Sequence, residues 1–441
     1  MIHWTLDAVT ALTRGTRRGP GDLIVTGVST DSRKVAAGDL FVAIAGESFD
    51  GHDYSEAALS AGAAAVLVEA GRVEVEPRVE VADTQRALLD LAVGRRAELD
   101  VPVVAITGST GKTSTKDMIA AAMGADSWAS PASYNNEIGV PLTVLATPDG
   151  ASSLIVEVGS RGPGHIASLA PAVVPDVAVV TNLGLVHLET FGTTDELAAA
   201  KRELLGALSE DGIAILPYGE GRLSFEGEEL RFGEDPRADV AVSNVELDEV
   251  GRARFILNGF GATIEVGLTM AGAHQALNAA AAAAAAVAAG RDLEAAIAGI
   301  EAAVGSPWRM EVHRGSFIVV NDSYNANPTS VEAALRTTAQ LSDRLVAVLG
   351  LMAELGTVSE SEHERVGALA RELGFDPVIV VGDAPGLVEG AGTVALPVSD
   401  IGAARKSVMD AMQPGGAVLV KGSRVVGLEV LASQLAEEAA A

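Results

Sequence analysis

The most constraining feature of this chain is an apolar run, Val101 to Thr107. It passes directly into Gly108-Ser109-Thr110-Gly111-Lys112-Thr113-Ser114-Thr115-Lys116 and then a helical pattern reaching Met123. Such an uninterrupted apolar run suits a strand buried on both faces of a parallel sheet. A tight glycine turn at a helix N-terminus aims backbone N–H groups at an anion. Lys112 adds positive charge for β- and γ-phosphates, and a hydroxyl at Thr113 or Ser114 can bind Mg²⁺. The pattern points to a nucleoside triphosphate. It is the shortened form of the phosphate loop, because the longer G-x-x-x-x-G-K form needs glycine where Ile106 stands. A second apolar run ends in an acid, Leu154-Ile155-Val156-Glu157. A carboxylate at the carboxyl end of a parallel strand lies where ligand clefts open, and it can bind magnesium directly or through water.

Around this core the chain reads as three α/β domains. With 441 residues, 48% of them hydrophobic and 20% charged, it is long enough for several packed cores. Residues 1–98 hold short β-rich runs at Leu40 to Ile44 and Ala64 to Glu69, with a helical segment at Tyr54 to Ala61, as in a small N-terminal α/β domain. Residues 99–307 form a central P-loop domain on a parallel sheet, with runs at Leu154 to Val158 and Val177 to Thr181. Its alanine octet, Ala279 to Ala286, reads as a tightly packed buried helix. Residues 308–441 alternate strands (Leu345 to Leu349, Val378 to Val381, Ala417 to Val420) with helices, as a Rossmann-like α/β domain does, after a break at Gly305 to Arg309.

Composition excludes several function classes. A formal charge of -28 repels phosphate backbones and anionic lipid, so neither nucleic acid nor stable membrane association is expected. With no cysteine there is no disulfide, thiol nucleophile or Cys-ligated zinc. The opening MIHWTLDAVT lacks a signal peptide's basic and apolar segments, so a cytoplasmic protein is expected. The same acidity requires Lys112, Lys116, Arg309 and Arg424 to converge on one cleft if an anionic nucleotide is to bind.

Further segments carry a resemblance. After the loop come Tyr134-Asn135-Asn136-Glu137-Ile138-Gly139, Thr181-Asn182-Leu183-Gly184, His187-Leu188-Glu189-Thr190-Phe191-Gly192 and Ala199-Ala200-Lys201-Arg202-Glu203. Then follow Gly272-Ala273-His274-Gln275-Ala276-Leu277-Asn278, Pro307-Trp308-Arg309, Asp322-Ser323-Tyr324-Asn325-Ala326-Asn327-Pro328 and Lys421-Gly422-Ser423-Arg424. In this order, over nearly the whole chain, they resemble the Mur ligase family of ATP-dependent amide-forming enzymes. The last two segments look most like the branch that joins D-alanyl-D-alanine to UDP-N-acetylmuramoyl tripeptide. The resemblance implies that Gly108 to Ser114 hold ATP, with Lys112 catalytic and Thr113 on Mg²⁺. It also implies that Glu157 and His187 lie near a second Mg²⁺, and that Lys201 is carbamylated by CO₂ so that it, too, binds metal. By the same resemblance Asn278, Arg309 and Asp322 contact the nucleotide. Ser32 and Arg33, in Ser29-Thr30-Asp31-Ser32-Arg33, meet the UDP part, and Asn135, Asn136, Asn325, Asn327 and Arg424 meet the rest of the substrates, with Lys421 a further candidate. Taken alone, Lys201 is a helix-surface lysine, His187 a loop or core histidine, and Asp-Ser-Arg a turn.

Leu351 departs from the family pattern, whose members usually carry Gly-Asp-Met where this chain has Gly350-Leu351-Met352. Any contact through a carboxylate there is in doubt. A monomer is expected. Two other readings stay open: a related ligase adding a single amino acid, and a P-loop nucleotide switch or binding module that makes no amide.

Overall fold

The computed structural model describes residues 2–46, 49–184 and 188–440. Its central sheet has nine strands, in the spatial order Ser127–Ala129, Ser153–Glu157, Val103–Thr107, Val177–Val180, Ile213–Pro217, Glu229–Gly233, Val240–Leu247, Arg252–Gly259 and Ala262–Ala271. The first seven pair in parallel, and the five residues of Val103–Thr107 are all buried, as their apolar run requires.

The sheet is parallel as expected from sequence, with an antiparallel addition at one edge. Arg252–Gly259 and Ala262–Ala271 pair antiparallel, joined by a tight turn in which Phe260 (φ 53°) and Gly261 (φ 77°) both adopt positive φ. Two consecutive positive φ values give the turn the twist that a hairpin needs.

Strand order places the ligand cleft. Val103–Thr107 connects to Ser127–Ala129 on one side, whereas its neighbour Ser153–Glu157 connects to Val177–Val180 on the other, so connections leave these adjacent carboxyl ends in opposite directions and a crevice opens there. The helix Lys112–Met123 starts at that crevice. The C-terminal sheet runs Glu311–Arg314, Ile318–Asn321, Ala417–Lys421, Leu345–Gly350, Phe375–Val381, Ala395–Val398, with Glu311–Arg314 antiparallel and the rest parallel. Its order reverses around Ala417–Lys421, which puts Asp322, Lys421 and the loop after Gly350 at one end. The N-terminal sheet has five short strands, including Asp39–Val42, Ala65–Glu69 and Arg78–Val81. The expected helix at Tyr54 to Ala61 is a 3₁₀ turn, Gly51–Tyr54, followed by the helix Ser55–Ser60.

The cores show how the three parts are joined. One continuous apolar cluster runs from Ile2, Leu40 and Leu67 through Leu88 and Leu91 to Val140, Leu154 and Leu216, so the N-terminal domain and one face of the central sheet share a core. On the other face the helix Gln275–Ala288 lies on the sheet, with Ala279 to Ala286 fully buried, against Lys112–Met123. Methyl side chains let a helix approach a sheet closely while keeping native packing density. The C-terminal domain has its own clusters on both sheet faces. Among the described residues no helix is long and apolar enough to cross a membrane.

Candidate active site

The phosphate loop is shaped by contacts that only glycine permits. Gly108 has φ 145°, and a Cβ there would overlap the Thr181 hydroxyl. Gly111 has φ 78°, and a Cβ would fall 2.5 Å from Asn278 Oδ1 on the alanine-rich helix. Both positions lie in the left-handed region that L side chains avoid. The segment Thr181 to Gly184 buttresses the loop from one side. Asn182 accepts from Ser109 N through its carbonyl (3.1 Å) and from Thr110 N through Oδ1 (3.0 Å), while Ser109 Oγ donates to Gly184 O (3.1 Å). Lys112 folds back so that Nζ donates to Gly108 O (2.8 Å), and desolvation lowers its pKa.

Behind the loop lies a buried acid. Glu157 is 1% exposed; its Oε2 accepts from Thr113 Oγ1 (2.8 Å), its Oε1 from Asn135 Nδ2 (2.7 Å), and its backbone N–H donates to Ser130 Oγ (3.0 Å). Lys201 projects from the helix Thr194–Leu205, which starts at a Thr193–Glu196 capping box, and it is 1% exposed. Burial pushes its ammonium down from an ordinary 10.5 to about 7, and the nearby Lys112 cation pushes the same way.

The third domain closes the cleft. Arg309 stacks 4.1 Å over the Tyr324 ring and donates from Nη2 to Ser133 Oγ (3.0 Å), which in turn lies 3.3 Å from Thr113 Oγ1. Arg424 stacks 4.6 Å over Trp308 and pairs with Glu429 (2.9 Å). Asp322 accepts from Met310 N (3.1 Å) and pairs with the buried Lys421, whose Nζ also donates to Asn325 O (2.9 Å). Asn327 caps the helix Pro328–Thr338, Asn136 Oδ1 accepts from Gly139 N (2.8 Å), and Asn278 donates to Gln275 Oε1 (2.8 Å). These groups line one cleft of about 1120 Å³ between the central and C-terminal domains. It takes in Ser109 to Ser114, Asn135, Asn136, Glu157, Lys201, Asn278, Arg309, Asp322, Asn325, Asn327 and Arg424.

Residues 24–96, 106–286 and 308–424 match, in turn, the Mur ligase family catalytic domain, the Mur ligase middle domain and the Mur ligase glutamate ligase domain. The UDP-N-acetylmuramoyl-tripeptide–D-alanyl-D-alanine ligase of Mycobacterium tuberculosis is 36% identical, over 93% of this chain and 92% of its own. The ligase of that name from Escherichia coli is 35% identical over 99% of both. The chain belongs to the Mur ligase family. Among solved structures, MurF from Acinetobacter baumannii is 31% identical, with a TM-score of 0.91 over 99% of both chains. MurF ligase from Thermotoga maritima in complex with ADP is 29% identical, with a TM-score of 0.85 over 94% of this chain and 98% of that one.

Some residues named from sequence are not among those lining this cleft. Ser32 and Arg33 do not line the cleft: they sit in a turn of the N-terminal domain, where the Arg33 guanidinium makes two hydrogen bonds to Asp31 (2.8 and 2.9 Å). Lys116, expected to point its charge into the cleft, instead donates to Ser130 O and Ala132 O, both at 2.9 Å, and pairs with Asp117. The carbonyls of the Ser130 to Ala132 bend lie over its part of the helix and take up the ammonium before it can reach the cleft. His187 lies outside the described residues. At the family departure the loop is held without an acid. Leu351 O accepts from Ser423 N (2.9 Å), Met352 N donates to His363 Nε2 (2.8 Å) and Ala353 N donates to Ser423 Oγ (2.8 Å).

Among the cleft residues with no role assigned from sequence are Ser133, His274, Gln275 and Tyr324. His274 has a buried Nδ1 with no hydrogen-bond partner among the described residues, and desolvation lowers its pKa. His274, Gln275 and Tyr324 stand inside the quoted family segments, so the signal was present without a geometry to interpret it.

Proposed function

We propose that this Mur ligase uses ATP to join D-alanyl-D-alanine to UDP-N-acetylmuramoyl tripeptide, releasing ADP and phosphate, in peptidoglycan precursor synthesis. The observation that carries the reading is that a phosphate loop, a buried carboxylate, a buried lysine of lowered pKa and the third domain's polar groups meet in one cleft. The tripeptide's terminal carboxylate attacks the γ-phosphorus of ATP, giving an acyl phosphate and ADP. The free amine of D-alanyl-D-alanine then attacks the acyl carbon and phosphate leaves. Phosphorylation is needed because an amine cannot displace oxide from a carboxylate.

The chain's own groups supply position and charge. Backbone N–H groups at the helix start, residues 111 to 113, face the phosphates and Lys112 offsets charge on the transferring phosphoryl group. Asn278, Arg309 and Asp322 hold the nucleotide, while Asn135, Asn136, Asn325, Asn327 and Arg424 face the peptide substrates. Ser32 and Arg33 meet the UDP part from the N-terminal domain. Closure of the third domain excludes the water that would hydrolyse the acyl phosphate.

The donor set fits magnesium. The Thr113 hydroxyl and Glu157 carboxylate are adjacent, buried, hard oxygen ligands, and no three His, Asp or Glu side chains cluster among the described residues. An ion there therefore needs phosphate oxygens and water as well, as Mg²⁺ usually does. Two Mg²⁺ ions would be held by Thr113, Glu157, His187 and Lys201 as its carbamate, and would supply electrostatic neutralisation of the phosphates. A lysine reacts with CO₂ as the neutral amine, which the buried Lys201 site favours. On this reading the protein acts as a monomer in the cytoplasm, where ATP is available.

The test is an ADP-release assay with UDP-N-acetylmuramoyl tripeptide, with D-alanyl-D-alanine, with single amino acids, or with no acceptor, followed by product mass. Amide product with the dipeptide alone is expected. Product with a single amino acid would reassign the acceptor, and ADP release without any amide would overturn the reading.

A further inference from the structure

The nucleotide helix does more than begin at the phosphates. Thr113, Lys116 and Asp117 are spaced i, i+3 and i+4 on Lys112–Met123, so they share one helix face. That face meets two loops that are far apart in sequence. The Lys116 side chain is 3% exposed, and its Nζ donates to Ser130 O and Ala132 O, each at 2.9 Å. These two carbonyls immediately precede Ser133, at a bend where Ala132 takes φ 46°. On the adjacent position Asp117 Oδ2 accepts both Ser306 N (2.9 Å) and Ser306 Oγ (2.7 Å). Ser306 lies in the segment joining the helix Leu293–Ala302 to the C-terminal domain, three residues before Arg309. Lys116 and Asp117 also pair with each other at 2.9 Å.

The two arms converge at the nucleotide loop. Ser133, carried by the first loop, accepts from Arg309, carried by the second, and lies 3.3 Å from the Thr113 hydroxyl. The circuit from Thr113 through Ser133, Arg309 and Ser306 returns to Asp117 on the helix where it began. Burying a lysine this deeply, with a partly buried aspartate beside it, is costly unless each has partners, and here nearly every partner belongs to one of the two loops.

We propose that Lys116 and Asp117 are positioning residues for the nucleotide: they grip from behind the two segments that present Ser133 and Arg309 to Thr113, and so couple the third domain's hinge to the phosphate loop. The inference rests on the proposed use of ATP.

The test uses the full-length protein and two readouts, calorimetric ADP affinity and initial-rate kinetics with ATP. Asp117→Ala is expected to weaken ADP binding and raise the KM for ATP about tenfold, with a smaller change in kcat. Asp117→Asn keeps an oxygen acceptor and is expected to recover most of the affinity. The decisive comparison is the Arg309→Ala background, where Asp117→Ala should add less than about twofold, because groups acting in series are not additive. A merely structural aspartate would multiply its full effect there. Should Asp117→Ala not fold, Ser306→Ala removes only the hydroxyl contact and is expected to weaken ADP binding about threefold, again only when Arg309 is present. Unchanged ADP affinity in both Asp117→Ala and Ser306→Ala, or full multiplication with Arg309→Ala, overturns the proposal. If the wild type binds ADP but forms no amide, the proposed reaction fails while the affinity comparison still judges the clamp.

Discussion

At the scale of single residues, the proposed chemistry depends on an amine placed where water cannot reach it. Lys201 is 1% exposed, and burial brings its pKa from 10.5 to about 7. Below pH 7 both the folded and unfolded forms carry the proton, and the folded form bears the full cost of a buried charge. Between pH 7 and 10.5 the unfolded chain holds a proton that the folded chain has lost, so this cost is relieved as pH rises. Lys201→Met is therefore expected to raise the melting temperature in metal-free, CO₂-free buffer near pH 6.5, with the advantage shrinking toward pH 9.5, while ligase activity is lost. A melting difference that stays constant across that range would show that the amine is not desolvated as described. Lys112 and Glu157 were legible in the sequence from the glycine turn and the acid ending an apolar strand, and Lys201 because family segments surround it. Ser133 was not, because its importance comes from Arg309 and Thr113, which only folding brings to it.

At the scale of elements, continuous apolar runs announced the parallel strands, since burial on both faces leaves no room for polar alternation. The edge hairpin was missed for the opposite reason. Ala262–Ala271 alternates buried and exposed positions, and Val240–Leu247 is interrupted by exposed Ser243 and Asn244, where its pairing with the next strand shifts register. The alanine octet was read correctly as a packed helix, and its burial has a mechanical consequence. Ala282 is fully buried where the helix lies between the sheet and Lys112–Met123, whereas Ala288, at the end of the helix, is only partly buried. Ala282→Leu must push the helix off the sheet and is expected to cost about 1–3 kcal/mol in urea unfolding. Ala288→Leu should cost well under half of that. Because Asn278 on the same helix abuts Gly111, the Ala282 variant should also weaken ADP binding. Equal stability of the two variants would mean that the octet is not closely packed.

At the scale of the whole molecule, the three domains are not three independent bodies. The N-terminal domain shares its apolar cluster with the central sheet, and Arg95 crosses that boundary to Thr147 O (2.8 Å) and Asp149 (2.7 Å). The C-terminal domain has separate cores, to which the central domain contributes Ala271, and it is reached through residues 303 to 309. Cooperative unfolding follows shared cores, so calorimetry of the apoprotein is expected to resolve two transitions rather than one or three. One belongs to residues 308 to 440; the other belongs to the N-terminal and central domains together. ADP touches both units if Arg309 and Asp322 hold the nucleotide with the phosphate loop, so saturating ADP should raise both transitions and draw them together, by about 2.7 kcal/mol at a hundredfold excess over Kd. Arg309→Ala should leave the apoprotein's two transitions in place while cutting ADP's effect on the C-terminal one, because the nucleotide then bridges the hinge with fewer contacts. Melting of the N-terminal domain on its own would show that the shared apolar cluster does not act as one core, and an ADP shift confined to the central unit would show that the third domain does not hold the nucleotide.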